Sequence, residues 1–93
     1  MTISTEEFKE LVRVFAEEVG VDFKEIQVRK MKRKWGSCSY KGRLTFDEGL
    51  LNKARDFTYE KVLHELLHLK YPNHGKMFKA ILKTYLNKML KEY

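Results

Sequence analysis

Residues 62–69, VLHELLHL, limit the possible folds more than any other part of this 93-residue chain. Val62, Leu63, Leu66, Leu67 and Leu69 fall on more than one side of a 3.6-residue helix, so the helix must be buried. His64, Glu65 and His68 are interleaved with those apolar residues, and buried polar groups require partners. The rest of the chain therefore has to cover this helix and satisfy its imidazoles.

Residues four apart on a helix lie one turn above each other, which makes His64 and His68 a two-point clamp on one face. Glu65 lies about 100° further round, placed to reach a water at a metal without ligating the metal. Zinc in a hydrolytic site takes three protein ligands and leaves a fourth position open. Pro72 breaks the helix four residues after His68, Asn73 can cap the next helix, and a reversing chain can return His74 to the first pair. HExxH, five residues, then His uses all three histidines of the chain. The pattern predicts a Zn2+ site with His64, His68 and His74 as ligands and Glu65 as general base. HELLH alone also arises in helices that bind nothing. The third histidine after a helix break is what favours metal.

A single cysteine, Cys38, excludes an internal disulfide and a paired CxxC zinc ribbon, so any metal must be held by His and carboxylate. Cys38 itself reads as a small packing residue, with ligation of the metal in a latent form as the alternative. With 43% hydrophobic and 34% charged residues, the composition is that of a soluble globular chain, and its length suits one domain, residues 1–93. No apolar run approaches the roughly 20 residues of a membrane helix. MTISTEEFKE lacks the basic and apolar parts of a signal peptide, and a cytoplasmic location with no membrane partner is expected.

Ser4 and Glu7 form a capping-box pattern ahead of Phe8, Leu11, Val12, Phe15 and Val19 at helical spacing, with Gly20 as the stop. EIQVRKMKRKW and GRLTFD read as two strands, a β-hairpin or neighbours, separated by the turn-rich GSCSYK. The alternation slips near Lys30, which predicts a bulge or a delayed strand start, while Leu44 and Phe46 face the core. A short turn at EGLLNKAR precedes a helix from Asp56 or Thr58 to Lys70, and a last helix begins near Asn73 or Gly75. This order predicts an α+β domain: an N-terminal helix, a small sheet, an active-site helix and a C-terminal helix.

The quoted segments WGSCSYKGRLTFDEGLL and VLHELLHLKYPNHGKMF are similar to the YgjP-like metallopeptidase family and, more distantly, to the SprT-like domain, over roughly residues 29–78. The resemblance implies a minimal zincin-like fold that hydrolyses protein or peptide substrates, with zinc on His64, His68 and His74 and Glu65 as the base. It also implies an edge strand beside the active helix along which a peptide lies, and GRLTFD is the matching segment. Fuller SprT-like proteins carry a trailing zinc ribbon or DNA-binding extension that is not in this sequence. A zinc metallopeptidase is thus the first expectation. A SprT-like protease acting on DNA-associated proteins is the second, and a zinc-stabilised binding module without turnover the third.

Seven basic residues and no acidic one lie between positions 29 and 43, with Trp35 and Tyr40 among them. Such a segment can bind nucleic acid weakly through phosphate contacts and stacking. The competing reading, which is preferred, packs Trp35 in the core and leaves the lysines to guard an edge strand. Tyr71 and Tyr85 are the two candidates for a hydroxyl that stabilises the oxyanion.

Overall fold

The computed structural model, which describes residues 1–93, begins with α1 (Thr5–Val19), whose first turn is fixed by the capping box. Ser4 Oγ accepts from the Glu7 amide and Glu7 Oε1 accepts from the Ser4 amide, each at 3.0 Å. Gly20 ends the helix at φ 83°, a left-handed conformation that carries no Cβ penalty in glycine. Phe8, Val12, Phe15, Ala16 and Val19 form the buried stripe.

Three strands follow: β1 (Glu25–Arg29), β2 (Gly36–Cys38) and β3 (Arg43–Asp47), in the order β1-β3-β2. β1 runs parallel to β3, and β2 pairs with β3 antiparallel. Two readings of the sequence are corrected here. EIQVRKMKRKW is not one strand, and the hairpin joins β2 to β3, with GSC as a strand instead of part of a turn. The chain leaves the sheet after Arg29 because Asp47 captures the segment that follows. Asp47 Oδ1 accepts from the Met31 amide at 2.7 Å, and the Asp47 amide donates to the Trp35 carbonyl at 2.9 Å. This detour is the slip in alternation near Lys30. Second, β3 lies in the middle of the sheet, so GRLTFD is not the edge strand; β2 is the edge that packs on the helix carrying His64 and His68.

The register places Ile26, Val28, Gly36 and Cys38 beside Leu44 and Phe46 on one face of the sheet. Phe8 meets Phe46 edge-on on that face at 5.3 Å, while Gln27, Ser37 and Thr45 point to the other side. A 3-10 turn at Glu48–Leu51 leads into α2 (Arg55–His68), and α3 (Lys76–Glu92) closes the chain. Val62, Leu63, Leu66 and Leu67 of α2 are 0% exposed, packed among α1, α3 and the sheet. Burial of each contributes roughly 1.5–3 kcal/mol. That outweighs the ~1 kcal/mol lost at the N-terminus of α2, where Ala54 provides no side-chain cap. α3 starts with Gly75 as its cap, not Asn73. Its far end is tied to α1 through Glu18, which accepts from Lys88 Nζ at 2.8 Å and from the Tyr93 hydroxyl at 3.3 Å. No helix is long and apolar enough to cross a membrane.

Candidate metal centre

His64 and His68 project from one face of α2 with ring centroids 4.9 Å apart, as the four-residue spacing requires. Beyond His68 the amides of Lys70 and Tyr71 both donate to the Leu67 carbonyl, at 3.0 and 2.7 Å, and the chain turns at Pro72. His74 stands in that turn. Its Nε2 lies 2.7 Å from His68 Nε2 and 3.1 Å from His64 Nε2. One donor atom from each of the three histidines lies within 4.8 Å of the others, and Glu65 contributes none to the cluster.

Phe78, 3% exposed, touches all three rings, with centroid distances of 5.3, 5.1 and 4.9 Å to His64, His68 and His74. In the sequence Phe78 is the last residue of VLHELLHLKYPNHGKMF, one of the segments that carry the family resemblance. Its place four residues after His74 is the signal that marks it.

Three imidazole nitrogens facing one point present more lone pairs than protons to bridge them, and a single cation satisfies all three. Four-coordinate zinc with Zn–N bonds of 2.0–2.1 Å sets its nitrogen ligands about 3.3 Å apart, inside the range of the cluster, where His74 Nε2 is 2.7 and 3.1 Å from its neighbours and all three donors lie within 4.8 Å of one another. The residues present therefore fit a small divalent ion. Burial is the main reason the His64 imidazole is held down to about 4, with His68, His74 and Lys61 adding to it; burial and then His74 lower His68. Both α2 rings are thus neutral, the form that ligates, at neutral pH.

Glu65 is pushed up to about 7 by burial, against the opposing pull of Lys34 and Lys61. A carboxyl poised there can both accept and return a proton near neutrality. The edge strand β2 lies directly over it. A Cβ on Gly36 would sit 3.0 Å from Glu65 Cγ and 3.1 Å from Phe46 Cδ1, so this approach needs a glycine. Cys38, on the same strand, is held as a neutral thiol by burial and by the charge of Glu65. Its Sγ donates to the Ser39 carbonyl at 3.5 Å and is not part of the histidine cluster.

Two cavities border His64. One of about 300 Å³ is lined by Lys34, Trp35, Gly36, Lys61, His64 and Glu65. The other, about 410 Å³, is lined by Glu60, His64, His74, Phe78, Lys79 and Leu82. Tyr71 and Tyr85 line neither and pack partly against the core; Tyr71 instead lines a hollow of about 270 Å³ with Phe78 and the turn that carries His74. Trp35 and Tyr40 are not neighbours either. Trp35 is partly buried, edge-on to Phe57 at 5.1 Å with Lys53 Nζ 5.2 Å from its ring, whereas Tyr40 in the β2–β3 turn is 93% exposed. A larger hollow of about 460 Å³, between the end of α1 and the β2–β3 turn, contains none of the cluster residues.

An α+β domain with a three-histidine cluster on a buried helix, closed by the turn that follows it, has the build of a metallopeptidase. Residues 3–92 match the YgjP-like metallopeptidase domain, and the chain belongs to that family. The metallopeptidase zymogen abylysin from Pyrococcus abyssi shares the fold, with a TM-score of 0.70 at 20% identity over 91% of this chain and 93% of that one. No curated protein matches the chain in sequence.

Proposed function

We propose that this protein is a zinc-dependent peptidase in which His64, His68 and His74 hold Zn2+ and Glu65 is the general base. The observation that carries the reading is the convergence of three imidazoles from a buried helix and its closing turn, with a half-buried carboxylate at the next helical position. Bound zinc would supply Lewis acidity, making a water more acidic and polarising the scissile carbonyl. Glu65 takes the proton of the attacking water and returns it to the departing amide nitrogen. Phe78 and the walls of α2 keep the imidazoles in register. An extended substrate pairs along β2, the edge strand next to α2, which takes the role that the resemblance assigned to GRLTFD. On this reading residues 1–93 form one catalytic domain acting on proteins or peptides in the cytoplasm.

Elemental analysis of protein purified without a histidine tag should find about one zinc per chain. Glu65→Gln should keep that zinc and the fold yet lose roughly 10²–10⁴-fold in hydrolysis of an unfolded protein. Zinc at no more than a few tenths per chain after reconstitution would sink the site. Zinc loss in Glu65→Gln would show that Glu65 has another role.

A further inference from the structure

The two cavities beside His64 differ in charge. The one on the α3 side has a single acid and a single base, Glu60 and Lys79, with Phe78 and Leu82 as apolar wall. The one on the sheet side has two lysines and only Glu65 as a counter-charge. Lys61 stands on α2 one turn before Glu65, and Lys34 comes from the segment that Asp47 pins to the end of β3. The ion pairs of the chain are Glu10–Arg13, Glu25–Arg43 and Glu18–Lys88, so neither lysine is engaged by an acid. Trp35 also lines the recess and packs edge-on against Phe57, whose ring lies 5.1 Å from Lys61 Nζ. Gly36, His64 and Glu65 complete the lining of the recess.

We propose that this recess is a specificity subsite in which Lys34 and Lys61 bind an acidic side chain of the substrate next to the scissile bond. It rests on the peptidase reading and names the substrate class. Two ammonium groups lining one cleft recognise a carboxylate there, and they outnumber the one carboxylate in its lining. A peptide fits better than nucleic acid because Trp35 is partly buried, edge-on to Phe57 with Lys53 Nζ 5.2 Å from its ring, and Tyr40, the exposed aromatic of the basic segment, does not line the recess.

Trp35 is the only tryptophan of the chain, so its fluorescence reports occupancy of the recess. Blocked octapeptides that differ by one Glu or Gln are titrated into zinc-loaded Glu65→Gln protein, which cannot turn them over. The Glu peptide should bind roughly fivefold to tenfold tighter at low salt. Adding Lys34→Gln and Lys61→Gln should abolish the difference, while Lys61→Arg should keep it. In a second arm the parent enzyme cleaves a mixed peptide library. Asp and Glu should be enriched at one fixed position, and reversal of both lysines to Glu should shift the preference to Lys and Arg. Equal binding of the two peptides, or a cleavage profile indifferent to charge or unchanged by the lysine variants, overturns the subsite. Single-stranded DNA that occupies the recess more tightly than the Glu peptide, through the same two lysines, also overturns it. If no peptide is cleaved at all, the peptidase reading falls, and the fluorescence arm alone decides the subsite.

Discussion

The histidines of the cluster are positioned by two different means. His64 and His68 are half-buried on a 14-residue helix whose apolar side chains are sealed in the core. His74 is exposed, in a turn that ends at Gly75, ahead of a helix with no side-chain cap. Packing therefore presets two donors whether or not an ion is present. Only Phe78 beneath its ring and the shared cluster hold the third, against a backbone ordering entropy of roughly 1–2 kcal/mol per residue. Rigidity sits where the fold provides it, and the donor that completes the set sits where the chain can still move.

The largest expected effect separates these two halves. His68→Ala and His74→Ala should each weaken zinc binding more than about a hundredfold, since loss of a mere outer partner of a metal ligand already costs tenfold to a hundredfold. The metal-free parent should then show where order was lost. Amide exchange should speed up in residues 70–76 while the amides of α2 stay protected, because the helix owes its protection to core packing. Equal loss of protection along α2 on zinc removal would mean that the helix does not preset the clamp.

The same division governs what could be read from the sequence. α1 announced itself through Ser4, Glu7 and Gly20, and the three histidines through their spacing, because each signal is local and helical. The sheet was harder: the pairing of β1 with β3 is parallel and skips over β2, and no turn residue records it. The resemblance placed GRLTFD at the edge, and the residues could not correct it, since Leu44 and Phe46 look alike in a central strand and an edge strand. The Asp47 clamp on the segment 31–35 and the closeness of Gly36 to Glu65 are long-range contacts, visible only once the chain is folded.

Gly36 gives the next effect in size. In Gly36→Ala the new Cβ would be 3.0 Å from Glu65 Cγ, 3.1 Å from Phe46 Cδ1 and 3.3 Å from the Thr45 carbonyl oxygen. Phe46 is fully buried and the carbonyl is backbone, so Glu65 is the group that yields. The zinc content should be unchanged, kcat should fall about tenfold because the base is displaced, and stability should drop by about 1–3 kcal/mol from overpacking. An unchanged kcat in zinc-replete Gly36→Ala would remove Gly36 from any part in placing the base.

The smallest effect is a pH dependence within α2 itself. Burial drives neighbouring groups toward their neutral forms in opposite directions on the pH scale: Glu65 up to about 7 and His64 down to about 4. For Glu65 in the metal-free protein, stability is fully present below the ordinary carboxyl value of 4.5. It falls as pH rises through about 7, because the unfolded chain ionises first. For His64 the sign is reversed: its contribution is present above 6.5 and is lost as pH falls through about 4. Subtracting the Glu65→Gln unfolding curve from that of the parent cancels His64, which both proteins contain. The metal-free variant should gain on the parent between pH 4.5 and 7 and hold that gain to pH 8, by on the order of 1–2 kcal/mol once partial solvent exposure is allowed for. Urea unfolding at pH 4 and pH 8 measures it. A gain that is the same at both pH values would mean that Glu65 titrates alike in the folded and unfolded chains and is not held neutral by the helix.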